Sequence, residues 1–264
     1  MSRKITTVVL DWAGTAVDFG SMAPVAAFKE AFEAVGLSPG NELIRYFMGL
    51  PKKDHVRKML RDKEMTAVFI EKYGKAPDEE AVEFVYEKFE PALFEVLKDH
   101  AAPLPGVPET VRLLREEGVR IGSTTGYTRA MMDVLCPVSK ARGYEPDCLV
   151  CPDDVGGKGR PYPYMLWENL RRLDVCDIRE VCKIGDTAAD IIEGKNAGCI
   201  SVGVVFGSNM LGLSEEEYGS AGQSEIERLA ETARGSYSKA GADYIIENIT
   251  ELSEFIKSIN KETP

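Results

Sequence analysis

The chain has 264 residues, with 32 Lys and Arg against 43 Asp and Glu for a formal charge of −11; 44% of its residues are hydrophobic and 28% charged. That is the composition of a folded globular chain, and its acidity argues against nucleic acid as the main partner while leaving room for an anionic small molecule at a local positive site. The longest apolar runs, such as Ile200–Phe206, are too short to span a bilayer, and Met1–Lys4 leads straight into a strand-like run with no room for a signal peptide, so a cytoplasmic location without a membrane partner is expected.

In chain order, Ile5–Leu10 reads as a short buried β-strand ending in polar Asp11. Pro24–Leu37 carries apolar residues at Val25, Phe28, Phe32 and Val35, one face of a helix. Helical patterns follow over Asp54–Arg61, Thr66–Tyr73 and Asp78–Lys98, with no convincing strand among them. From Pro103 the texture alternates. Helices are expected at Val107–Glu117, Thr128–Ala141, Tyr162–Leu173, Thr187–Ala197 and Ile249–Ile259. Strands are expected at Val119–Thr124, Cys148–Cys151, Val181–Ile184, Ile200–Val205 and Asp243–Ile246, and Ser214–Gly241 reads as a solvated helical stretch. Alternation of this kind implies βαβ units. The expected fold is therefore α/β: a Rossmann-like parallel sheet core with helices on both faces, residues 1–20 and 102–264, and an inserted all-helical cap, residues 21–101.

The six cysteines are read as free thiols. Cys148 and Cys151 make a single C-x-x-C pair, and with His55 and His100 the only histidines a structural zinc site has little support.

Four segments sit just past strand ends, where open α/β sheets place their sites: Asp11-Trp-Ala-Gly-Thr15, Ser123-Thr-Thr-Gly126, Gly159-Arg-Pro161 and Gly185-Asp-Thr-Ala-Ala-Asp190. Taken singly, each is as readily a turn, a helix cap or a surface charge. Together they suit phosphoryl transfer assisted by Mg²⁺. Asp11 and Asp186 are hard oxygen ligands, Thr125 and neighbouring N–H groups can hold phosphoryl oxygens, and Arg160 can neutralise developing charge.

In this order the segments resemble the haloacid dehalogenase superfamily of phosphotransferases. The resemblance covers the core and makes the helical block its cap. It implies that Asp11 attacks phosphorus, with Mg²⁺ held by Asp11, the Ala13 carbonyl and Asp186, and Asp190 acting through water. Most phosphatases of that superfamily carry a second Asp two residues after the first, to protonate a leaving oxygen; here the position is Ala13.

Met48-Gly-Leu-Pro-Lys-Lys-Asp-His55 in the cap is similar to the signature of the phosphonoacetaldehyde hydrolase family, as are Gly122–Thr128, Pro152–Val155 and Gly159–Pro163. That resemblance implies a small phosphonate substrate, a Schiff base on Lys52 and a homodimer. His55 would shuttle protons, and Met48, Gly126, Tyr127 and the hinge residue Ser21, where the family often has Cys, would surround the substrate. Ala13 then makes chemical sense, since a P–C bond leaves no oxygen to protonate. Lys53 falls at the variable position and turns about 100° away from Lys52 on a helix, though its charge would help depress the Lys52 pKa. Arg160, directly before Pro161, is preferred to Lys158 as the core cation. A phosphatase or phosphomutase of the same superfamily, a Schiff-base lyase without phosphorus chemistry, and a non-catalytic binding protein remain as alternatives.

Overall fold

The computed structural model describes residues 4–262; most of the Met1–Lys4 stretch lies outside them. The chain begins with β1 (Thr7–Leu10), four buried residues, and then enters a run of helices: α1 (Met22–Ala34), α2 (Asn41–Tyr46), α3 (Lys52–Leu60), α4 (Lys63–Tyr73) and α5 (Glu79–Val96). It continues as α6 (Val107–Glu116), β2 (Arg120–Thr124), α7 (Arg129–Ala141), β3 (Cys148–Val150), α8 (Tyr164–Arg172), β4 (Val181–Gly185), α9 (Ala188–Ala197) and β5 (Ile200–Val204). The last elements are α10 (Glu215–Ser220), α11 (Gln223–Ala240), β6 (Tyr244–Ile246) and α12 (Leu252–Glu262).

The strands form one parallel sheet in the order β3-β2-β1-β4-β5-β6. Thr7 is in register with Arg120 on one side and Val181 on the other. The strand order turns back between β1 and β4. At such a switch point, chains leaving adjacent strands diverge to opposite faces and open a crevice beyond the strands' carboxyl ends. Asp11 and Asp186 are the first residues after β1 and β4. The α/β class expected from the alternating pattern is the one observed. Among the described residues no helix is long and apolar enough to cross a membrane.

Within the insert α1 and α3 pack on α5, and Phe28 of α1 stacks on Phe89 of α5 at 4.2 Å between ring centroids. Two linkers join this insert to the sheet. They run together, with Val17 bridging Pro103 antiparallel and the Asp18 N–H donating to the Ala102 carbonyl at 3.4 Å.

Local differences from the sequence reading have local causes. α1 stops at Ala34, short of Leu37, because Gly36 takes a left-handed φ of 68°. α3 begins at Lys52, two residues earlier than read, since Pro51 is preset for the position just before a first turn. The six-residue α2 carries too little periodicity to be read. The Ser214–Gly241 stretch divides into α10 and α11 around extended Ala221 and Gly222.

Candidate active site

Asp11, Asp186 and Asp190 are buried in the crevice, each offering an oxygen within 4.8 Å of the others. Asp11 Oδ1 accepts from Arg160 Nη2 at 2.6 Å. Asp186 Oδ1 accepts from the Thr15 hydroxyl at 2.9 Å and Oδ2 from the Asn209 N–H at 2.7 Å. Asp190, in the first turn of α9, accepts from Lys183 Nζ at 2.7 Å and from the Thr187 hydroxyl, and lies 3.1 Å from Arg160 Nη1. Gly14 holds a φ of 83° in the turn after β1, and a Cβ there would collide with Asp186 Oδ2 and Ser21 Oγ. Only glycine allows that turn to lie against the carboxylate.

The buried charges do not balance. Asp11, Asp186, Asp190 and Glu193 face three cations, Arg160 and Lys183 of the core and Lys52 of the insert. Among the described residues Asp186 has no ion-pair partner, and burial, then the charges of Asp11 and Asp190, push its carboxyl well above the usual range. Asp190 is held below its usual range: burial works against its charge, but Arg160 and Lys183 prevail. A hard divalent cation between Asp11 and Asp186 would offset the excess negative charge, and carboxylate and carbonyl oxygens are the donors Mg²⁺ takes. The donor set therefore fits such an ion. Asp190, already committed to Lys183, Thr187 and Arg160, is poorly placed to be a direct ligand.

Arg160 is almost fully buried. Its Nη2 donates to Asp11, to the Thr124 carbonyl at 2.8 Å and to the Thr124 hydroxyl at 2.9 Å; its Nε donates to Glu193 Oε2 at 2.9 Å. Burial opposes its charge, but Asp11, Asp190 and Glu193 hold the guanidinium charged. Lys158, by contrast, lies 5.1 Å from the Tyr164 ring centroid and outside this network. Thr125 follows β2, and its hydroxyl accepts from the Tyr127 N–H at 3.1 Å.

The helical insert closes over these groups. Asp11, Ala13, Met48, Gly49, Lys52, Thr125, Gly126, Tyr127 and Arg160 line a narrow cavity between the insert and the sheet. Lys52, the first residue of α3, is 5% exposed, and its Nζ stands 4.4 Å from the centroid of Tyr127 and 5.9 Å from that of Phe28. Burial lowers its pKa to about 8; Asp11 works against that shift and Arg160 adds to it. The expectation that Lys53 supplies the depressing charge is corrected. Lys53 is exposed, paired with Glu83 Oε1 at 2.7 Å, and the second cation near Lys52 is Arg160.

His55, one turn after Lys52, is fully buried against Phe28, and its Nε2–H donates to the Ile44 carbonyl at 2.8 Å. Nδ1 is then an unprotonated acceptor, and it has no hydrogen-bond partner among the described residues. Burial, then the Lys52 charge, hold its pKa well below the ordinary value. Ser21 is buried at a left-handed φ of 52°, and its hydroxyl likewise lacks a partner among the described residues. His100 Nδ1 pairs with Asp18 Oδ1 at 2.9 Å across the two linkers, a structural contact. The six cysteines are free. Burial pushes the Cys151 thiol up to about 12, which makes the C-x-x-C pair a poor thiolate source.

Sequence reasoning missed four members of this constellation. Lys183 interrupts an apolar strand, a signal for a paired buried cation. Glu193 lies three residues beyond Asp190 on α9, where both reach the same face. Arg45 and Asn209 had no local signal; the fold alone brings them together across the insert and the loop after β5.

Residues 5–198 match the model of the haloacid dehalogenase-like hydrolases. The chain is 46% identical over 260 residues to a phosphonoacetaldehyde hydrolase of Bacteroides fragilis and 44% identical over 259 residues to one of Bacillus cytotoxicus, in each case over 98% of both chains. A crystal structure of a phosphonoacetaldehyde hydrolase-like protein from Oleispira antarctica superposes with a TM-score of 0.95 at 32% identity, over 99% of this chain and 94% of that one. The chain therefore belongs to the phosphonoacetaldehyde hydrolase family of haloacid dehalogenase-like hydrolases.

Proposed function

We propose that this chain hydrolyses the P–C bond of phosphonoacetaldehyde to acetaldehyde and phosphate, with residues 21–101 as a cap over a core of residues 1–20 and 102–264. The observation that carries the reading is one cavity lined by a buried amine of lowered pKa, Lys52, and a carboxylate, Asp11, with no carboxylic acid at Ala13. A phosphate ester needs an acid for its leaving oxygen; a phosphonate needs an electron sink for its leaving carbon.

The neutral Lys52 amine condenses with the aldehyde and releases water, giving an imine whose protonated form draws electrons from the adjacent carbon. Asp11 then attacks phosphorus. The P–C bond breaks, its electron pair passing into the imine system as an enamine, and the phosphoryl group stays on Asp11 as an acyl phosphate. Arg160 and the Thr125–Gly126 turn neutralise and orient the phosphoryl oxygens. Protonation of the enamine carbon and hydrolysis of the imine release acetaldehyde and Lys52, and water cleaves the acyl phosphate. His55 Nδ1, an unprotonated acceptor one turn from Lys52, is suited to hold the proton that the condensation moves. Met48 and Tyr127 wall the amine from water, and Ser21 borders the Asp186 side of the site. Mg²⁺, held by Asp11, Asp186 and the Ala13 carbonyl, would supply electrostatic stabilisation to the phosphoryl group.

The test is stoichiometric release of acetaldehyde and phosphate from phosphonoacetaldehyde, together with borohydride trapping in the presence of substrate. Loss of activity and a single label on Lys52 are expected. Comparable turnover of phosphate monoesters that survives Lys52→Arg would instead assign the chain to phosphatase chemistry.

A further inference from the structure

Arg45 lies in α2 of the insert, and it makes no ion pair among the described residues. Apart from one bond within the insert, Nη2 to Met22 Sδ at 3.3 Å, its guanidinium is spent on oxygens of the first linker and of the loop after β5. Nη1 donates to the Gly20 carbonyl at 2.6 Å, to the Asn209 carbonyl at 3.0 Å and to Asn209 Oδ1 at 3.1 Å; Nη2 donates to the Gly212 carbonyl at 3.3 Å. Asn209 answers, its Nδ2 donating to the Arg45 carbonyl at 3.0 Å. A five-donor fork used this way fixes the shape of the loop it grips rather than neutralising a charge.

That loop follows β5, and Asn209 is fully buried within it. Its side chain faces the insert while its backbone N–H donates to Asp186 Oδ2 at 2.7 Å. One residue thus touches Arg45 with one end and the carboxylate with the other. The Gly20 N–H, donating to the Gly207 carbonyl at 2.8 Å, ties the first linker to the same loop. The bonds between Arg45 and Asn209 or Gly212 cannot persist if the insert swings away from the sheet.

We propose that Arg45 is a positioning residue which, through Asn209, fixes the N–H that orients Asp186, so that seating of the helical insert and the carboxylate site for the divalent cation are coupled. The inference rests on the reading of the insert as a closing cap and of Asp186 as a cation ligand. Coupling of this kind is reciprocal: a seated cap tightens the cation site, and the cation favours the seated cap. Lys52 arrives on the same body as Arg45, so the amine and a fully ordered carboxylate pair would be presented together.

The experiment is calorimetric titration of the full chain with Mg²⁺, without substrate, for the parent, Arg45→Met, Asn209→Ala and the double variant. Each single change is expected to weaken Mg²⁺ binding about tenfold. The double variant is expected to be no weaker than the worse single one, because the two residues act as one unit. Asn209→Ser keeps the backbone N–H and trims the side-chain pair, and it carries the comparison if Arg45→Met does not fold. Affinities within twofold of the parent, a double variant whose weakening is the product of the singles, or a parent that binds no Mg²⁺ would overturn the proposal. The titration reads the latch whether or not phosphonoacetaldehyde is turned over, so failure of the enzymatic reading and failure of the latch are separate results.

Discussion

Lys52 and Tyr127 meet across the two bodies of the molecule, the amine 4.4 Å from the centroid of the ring. An aromatic face attracts a cation but gives it no proton acceptor. Burial and the Asp11 and Asp18 charges raise the Tyr127 phenol well above its usual value, so the ring stays neutral beside the amine. The ring favours the charged amine, and burial prevails over it, so that the amine loses its proton near neutrality. With a pKa of about 8, roughly one Lys52 in ten is neutral at pH 7, against about one in 2,500 for an unperturbed lysine.

The first prediction follows directly. The rate of borohydride inactivation in the presence of substrate should rise with pH and level off above about pH 8. A curve still climbing tenfold per unit at pH 9.5 would mean the amine is not depressed. Lys52→Arg should abolish trapping and phosphate release. Lys53→Arg keeps an exposed charge beside Glu83 and should retain most activity, since surface pairs of this kind are worth ~0.2–1 kcal/mol.

Glu193 holds Arg160 from behind through Nε, while Arg160 holds Asp11 in front through Nη2. Glu193→Gln keeps an acceptor of the same shape and removes its charge. The guanidinium should lose its anchor on that side, lowering kcat about tenfold, equivalent to ~1.4 kcal/mol of transition-state stabilisation. Imine formation at Lys52 should be little changed, because Glu193 bonds Arg160 and not Lys52. Steady-state rates and trapping rates of the one variant separate the two steps, and equal losses in both would refute the assignment.

His100 and Asp18 clamp the two linkers, and the same Asp18 carboxylate accepts from the Met22 and Ala23 N–H groups at 3.0 and 3.1 Å. The hydrogen bond to Asp18 raises the His100 pKa above 6.5, with burial opposing and Asp99 assisting. A raised folded-state value means the contribution to stability is fully present below about pH 6.5. It is lost as pH climbs through the raised value. The melting-temperature deficit of His100→Gln relative to the parent should accordingly be larger at about pH 5.5 than at about pH 9. A deficit that is constant or grows with pH would contradict a charged clamp.

Much of this site was legible because its members are the residues immediately after strands. Asp11, Thr125 and Asp186 are the first residues after β1, β2 and β4, and a parallel sheet brings such positions to one edge whatever the loops do. Lys52 was legible for a different reason: it stands in the Met48–His55 segment that is similar to a family signature, and a helical turn puts Lys52 and His55 on one face. What escaped is tertiary in origin. Arg45 and Asn209 are 164 residues apart, in a six-residue helix and a loop without periodicity, and neither has a local partner to betray it. The depressing charge near Lys52 escaped similarly, because adjacency along the chain favoured Lys53 while the fold supplied Arg160.

Gly126 provides a test of how closely the helical insert and the sheet must meet. Its φ lies outside the left-handed range, so alanine is compatible with the backbone itself. The obstacle is the insert: a Cβ at Gly126 would lie 2.5 Å from the Leu50 carbonyl oxygen and 3.0 Å from that of Gly49. Both contacts are backbone, so no flexible side chain can give way. Gly49 is itself held at a φ of 90° against Thr187, and its carbonyl accepts from Arg160 Nη1 at 3.3 Å. The loop before α3 must therefore retreat, carrying Lys52 away from Asp11 with the fold of each body intact. Gly126→Ala should leave the melting temperature near that of the parent yet lower kcat/KM about a hundredfold, the loss typical of a misplacement of about 1 Å between reacting groups. Trapping at Lys52 should slow far less than phosphate release, because the amine can still meet a free aldehyde while the imine no longer sits in line with the carboxylate. A variant that is as active as the parent would show that the contact of Gly126 with Leu50 is not needed for the reaction.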